Sequence, residues 1–111
     1  MKNTVKLLPP TDLAGNFHYV YGNGRYTFSD PTPQRKYVKI LALVRAYNAK
    51  GMVPTRALIK KNLGMPLDRG WGSATWAALY KAGLLDHTRA GRTTVYYMTP
   101  RGCDFLKQMG V

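Results

Sequence analysis

The sequence predicts an α+β fold. Three helices form a core, a β-ribbon follows the third, and an N-terminal arm and an aromatic β-hairpin come first. Three observations predict it. Asp68 to Leu85 reads as a helix that opens on an acidic cap, closes at Gly83 and runs into an apolar pair. Beyond Gly91, Thr94-Val95-Tyr96-Tyr97-Met98 is β-branched and aromatic, as a returning strand should be. Upstream, Tyr37, Ile40, Leu41 and Val44 recur at the spacing of one buried helix face.

Length and charge bound the rest. A chain of 111 residues, 45% of them hydrophobic, can fill one core. Its 17 Lys and Arg against 5 acidic residues leave a net charge of +12. That imbalance predicts attraction to a polyanion. Cys103 is the one cysteine, so no intrachain disulfide can form, and a reducing, cytoplasmic setting fits. The N-terminus has no long apolar run before Pro9-Pro10 and does not read as a signal peptide, and no run reaches membrane-span length. We expect no membrane partner.

Residues 1–32 read as an arm and hairpin extension, and residues 33–111 as the main domain. Gly22-Asn23-Gly24 separates two alternating aromatic runs, and Asn23-Gly24 is a strong turn signal because both residues accept positive φ. Phe17, Tyr19 and Tyr21 share one face, as do Tyr26 and Phe28. A lone hairpin is marginal in water, so this face needs a cover. The rest of the domain is the preferred cover, with a dimer partner or nucleic acid as alternatives.

Thr32 and Pro33 suit the start of helix one, which runs to about Asn48. Leu43, Ala46 and Tyr47 add a second stripe, which motivates a homodimer through this helix and the hairpin. Pro54 or Thr55 opens helix two, with Leu58, Ile59 and Leu63 inward and Arg56, Lys60 and Lys61 outward. Gly64-Met65-Pro66-Leu67 has the length of a helix-turn-helix link. After helix three, Thr88 to Thr93 forms the ribbon tip, and Thr99-Pro100 caps a last short helix carrying Cys103, Phe105, Leu106 and Met109.

Catalysis has little support. His18 and His87 lie in different elements without metal-ligand spacing, and the aspartates are scattered. Neither an enzyme nor a cofactor is expected. Nucleic-acid binding has the better case, because Arg89 and Arg92 bracket a ribbon tip where a side chain can reach phosphate or enter a minor groove.

Residues from about 35 to 109 resemble the winged-helix superfamily of bacterial and phage regulators, of the MarR and PadR kind. The matching segments are A-L-I-K-K-N-L-G-M-P-L-D, L-Y-K-A-G-L-L and Y-Y-M-T-P-R-G-C-D-F-L. The resemblance implies a three-helix winged helix-turn-helix core with a β-hairpin wing, double-stranded DNA as partner and usually a two-fold dimer. The long terminal dimerisation helices of the MarR pattern are missing. Carried over by position, Leu79, Trp76, Thr75 and Gly72 fall inward. Trp71, Ser73 and Ala74 fall where such proteins read bases, with Ala77, Ala78 and Lys81 beyond.

That face is poor in base-reading groups, since alanine offers only a thymine-methyl contact. Trp71 either touches DNA or folds into the core, the commoner fate of a tryptophan. Arg69, at the positive end of the helix, is the preferred phosphate or guanine ligand. The expected DNA-contacting set is Arg56, Lys60, Lys61, Arg69, Trp71, Ser73, Ala74, Ala77, Lys81, Arg89, Arg92 and Thr93. The expected function is sequence- or shape-specific duplex DNA binding, as a transcriptional regulator of bacterial, phage or plasmid origin. A replication or mobile-element accessory protein, a protein-interaction module or an RNA-binding module is the alternative.

Overall fold

A computed structural model describes residues 16–29, 36–64 and 73–111. In chain order the elements are β1 (Asn16–Tyr21), β2 (Gly24–Ser29), α1 (Lys36–Ala49), α2 (Arg56–Asn62), α3 (Ser73–Lys81), β3 (Leu85–Ala90), β4 (Thr93–Met98) and α4 (Pro100–Gln108). The arm, Thr32 and Pro33, the boundary drawn at residue 33 and the link from Met65 through Leu67 lie outside the described residues.

The expected three-helix winged core with a hairpin wing is corrected. Among the described residues the chain is α+β, with four helices and two separate two-stranded antiparallel hairpins, β1–β2 and β3–β4. The physical reason lies in where the first hairpin and the last helix go. Phe17, Tyr19 and Phe28 share one face of β1–β2, and all three turn their rings onto Phe105 of α4. Hairpin and helices therefore share one hydrophobic core. Gln108 at the end of α4 also pairs with the open edge of β1. Its Oε1 accepts from Val20 N at 2.8 Å and its Nε2 donates to Val20 O. The aromatic face is thus covered within its own chain.

The hairpin turn sits one residue earlier than expected. Gly22-Asn23 forms it, with Gly22 at φ 62°, while Gly24 pairs with Tyr21 as the first residue of β2. A Cβ at Gly24 would stand 2.8 Å from Tyr26 Oη, so a larger residue there would push that exposed ring aside.

Helix α1 runs through the centre. Tyr37, Ile40, Leu41 and Val44 are buried as the periodicity predicts, and Val38 and Ala42 are buried as well. Of the second stripe, Ala46 is exposed, while Leu43 packs against the core and the Tyr47 hydroxyl accepts from Asn62 Nδ2 of α2 at 3.0 Å. The surfaces that motivated a dimer are thus largely used inside one chain.

The remaining joints are local and follow from capping. Thr55 caps α2 by accepting from Leu58 N at 3.2 Å. Helix α3 closes at Gly83 with Leu84 N donating to Leu79 O at 3.1 Å, and both leucines are fully buried. Thr99 caps α4 by accepting from Gly102 N at 2.9 Å, and its own hydroxyl donates to Gly83 O at 2.5 Å. The end of α3 is thereby tied to the start of α4, which sets where the β3–β4 ribbon leaves the core.

Candidate nucleic-acid interface

The ribbon root is held from two sides. Tyr96 N donates to Pro54 O at 2.9 Å, Thr55 bridges to Val95, and Met98 N donates to Asn48 Oδ1 at 2.8 Å. Leu85, Val95 and Tyr96 are buried, whereas His87 to Ala90 are exposed. The ribbon therefore has an anchored base and a solvated outer half. Its tip is tighter than expected. Gly91-Arg92 is the turn and Ala90 pairs with Thr93, so Arg89 lies in the strand opposite Thr94, not in the tip. The Thr93 hydroxyl donates to Ala90 O at 3.0 Å and serves the tip itself.

Arg56 does not face outward as the sequence predicts. Its Nε and Nη2 donate to Tyr96 Oη at 3.0 and 2.7 Å. The guanidinium lies 5.1 Å from the Trp76 ring centre and 5.8 Å from that of Tyr96, and those two rings stand 4.9 Å apart. Trp76, predicted inward, is only 3% exposed, and its Nε1 has no hydrogen-bond partner among the described residues. Arg56 is thus a strut across α2, α3 and β4. Replacing it strands the hydroxyl of buried Tyr96. We expect Arg56→Ala to cost about 2 kcal/mol in urea unfolding. Arg56→Lys should recover part of this, because an ammonium can donate to the hydroxyl but cannot stack on the Trp76 and Tyr96 rings as the planar guanidinium does. Equal stability of Arg56→Ala and the parent chain would refute the strut.

The ring contacts continue outward from this strut. His87 lies 6.0 Å from Tyr96 and 4.8 Å from Tyr80 of α3, centre to centre. Strand alternation puts Leu85, His87 and Arg89 on one ribbon face, paired with Met98, Tyr96 and Thr94. Asp86 belongs to the opposite face, paired with Tyr97. Desolvation, then Asp86 and Tyr80, push the Tyr97 phenol above its ordinary value of 10.0. Burial likewise raises Tyr19, against the opposing charge of Arg101. For both phenols the folded value lies above the unfolded one. Their contribution to stability is present below the ordinary value and is lost as pH rises through the raised one.

The expected contact residues divide as follows. Lys61, Lys81, Arg89, Arg92 and Thr93 are exposed, and Lys60 and Ala77 are half-buried. Lys60 stands one helical turn beyond Arg56 on α2. Ser73 and Ala74 open α3. Arg69 and Trp71, with Asp68, Gly70 and Gly72, lie outside the described residues. Tyr80 and His87, whose rings meet on the same side, lie outside the expected set. Tyr80 follows Ser73 and Ala77 at helical spacing, and His87 alternates with Arg89, so both signals were present in the sequence.

Known proteins offer no guide here. No family model, no curated protein and no solved structure matches the chain. The resemblance to winged-helix regulators therefore rests on the quoted segments alone. Among the described residues no three His, Cys, Asp or Glu side chains cluster as metal ligands, and no helix is long and apolar enough to cross a membrane.

Proposed function

We propose that this chain binds double-stranded DNA through the side formed by α2, α3 and the β3–β4 ribbon, and that it regulates transcription in the cytoplasm. The observation that carries the reading is the placing of cations along the ribbon. Arg89 shares its face with His87 beside Tyr80 and Arg92 occupies the turn, while Asp86 pairs with Tyr97 and its Oδ1 accepts from His87 N at 2.8 Å. Lys60 and Lys61 of α2 and Lys81 of α3 add cations on the helices next to the ribbon in the fold. The net charge of +12 draws the chain to a polyanion at long range, and these cations neutralise phosphates at contact.

Base reading has little to work with on α3, where Ala77 and Lys81 flank Tyr80. Selectivity then comes chiefly from groove shape and DNA deformability. A dimer through α1 and the first hairpin is not part of this reading.

A salt titration tests it. With about five phosphate contacts, log affinity for a 20-base-pair duplex should fall against log salt with a slope near −4 to −5. Replacing Arg89 and Arg92 together by alanine should make that slope shallower by about 2 and leave the fold intact. A flat response in the parent chain overturns the proposal.

A further inference from the structure

Tyr80 is 52% exposed, although it directly follows fully buried Leu79. An isolated surface tyrosine would mean nothing. This one is not isolated. Its ring stands 4.8 Å from that of exposed His87 on the neighbouring strand, tilted by 53°. Behind them the contacts run inward to Tyr96 and Trp76, both buried, with the Arg56 guanidinium against those two rings. The two outer rings are therefore an aromatic ledge with a braced back. Lys81 follows Tyr80 in α3, and Arg89 lies about 7 Å along the strand from His87 on the same face. Exposed rings with cations at neighbouring positions have the chemistry of nucleobase stacking, where the rings hold a base and the cations hold its flanking phosphates. The Asp86 carboxylate also lies beside the ledge, its Oδ1 accepting from His87 N at 2.8 Å.

We infer that Tyr80 and His87 form a stacking ledge that receives a nucleobase that has left the duplex stack. The preferred partner is then double-stranded DNA with a locally unpaired base, such as a bulge or an opened step. This rests on the reading of the α2–α3–ribbon side as a DNA interface, and it adds a substrate preference that charge alone does not produce. Phosphates are the same on intact and interrupted duplexes, so only a group that touches bases can tell them apart. An unpaired base also leaves its stack at lower cost than a paired one.

The test uses the full chain and two fluorescein-labelled duplexes that differ only in one unpaired adenine, compared by fluorescence anisotropy at one salt concentration. The parent chain should bind the bulged duplex about tenfold more tightly. Tyr80→Ala should abolish that preference, weakening binding of the bulged duplex about tenfold more than binding of the uninterrupted one, while Tyr80→Phe, which retains the ring, should retain the preference. His87→Ala, at an exposed strand position, is a second probe and should weaken the preference. Thermal melts of each variant establish that it is folded.

Equal affinity of the parent chain for the two duplexes overturns this inference and leaves DNA binding standing. So does a loss in Tyr80→Ala that is the same for both duplexes. If neither duplex binds at any salt concentration, the DNA-binding reading falls and the ledge falls with it.

Discussion

Phe105→Ala is expected to lower folding stability by about 4 kcal/mol in urea unfolding. Phe105 is fully buried in α4 and meets three rings of the first hairpin. Their centres lie at 6.0 Å for Phe17, 5.1 Å for Tyr19 and 5.7 Å for Phe28, and each meets it nearly edge to face. Truncation removes the ring's transfer energy and leaves a hole that three large neighbours on a paired ribbon cannot close by small shifts. Each edge-to-face pair adds about 0.5–1.5 kcal/mol beyond area, though the pairs are not additive.

The loss is also local. Without Phe105 the hairpin keeps the Gln108 clamp on Val20, the Phe28 ring 5.0 Å from Tyr37 of α1, a long bond from the Tyr19 hydroxyl to Ala82 O, and the stacking of the Arg101 guanidinium, 4.9 Å from Tyr21 and 4.1 Å from Tyr26. A two-stranded hairpin held by those contacts alone is marginal. Amide exchange in β1 and β2 should therefore speed up more than exchange in α1. Phe105→Leu, which keeps much of the volume, should cost under half as much. A Phe105→Ala penalty below about 1 kcal/mol would mean that the hairpin is anchored elsewhere.

What was legible in the sequence was what is local. The Thr55 and Thr99 caps, the Gly83 stop and the buried stripe of α1 each depend on residues a few positions apart. Their chemistry can be read from spacing. Arg56 failed this test. Its helix position predicts exposure, but Tyr96 lies 40 residues further on and captures it. The whole arrangement failed for the same reason. A helix, a glycine stop and a ribbon in sequence are compatible with a free-standing wing. Whether one forms depends on pairings such as Val20 with Gln108, 88 residues apart, which no local pattern encodes. The proposed interface has two parts of different kind. The cations of the ribbon and helices stood out, whereas the Tyr80–His87 pairing needed the relative placement of α3 and β3.

Gly102→Ala is expected to destabilise the chain by about 3 kcal/mol, although alanine is the better helix former. Two effects oppose each other. In a helix, alanine gains about 1 kcal/mol over glycine. At this position, however, a Cβ would lie 2.0 Å from Leu84 O and 3.0 Å from Met98 Cε. The methionine is flexible and can turn away. The carbonyl cannot, because Leu84 is fully buried and its own N–H is bonded to Leu79 O at 3.1 Å. On the other side the Thr99 hydroxyl holds Gly83 O at 2.5 Å and Gly102 N at 2.9 Å, so α4 cannot slide off without breaking its cap.

The clash therefore wins over the propensity, and relief has to come from separating the end of α3 from the start of α4. Leu84 leads directly into β3, so that separation also displaces His87 and Arg89 from Tyr80. At a temperature where the variant is still folded, its preference for the bulged duplex should fall before its affinity for the uninterrupted one. Cys103→Ala, one residue along and half-buried, is the matched control and should change stability by about 1 kcal/mol or less. A Gly102→Ala chain that melts at or above the parent temperature would show that α4 does not lie against Leu84 as closely as described.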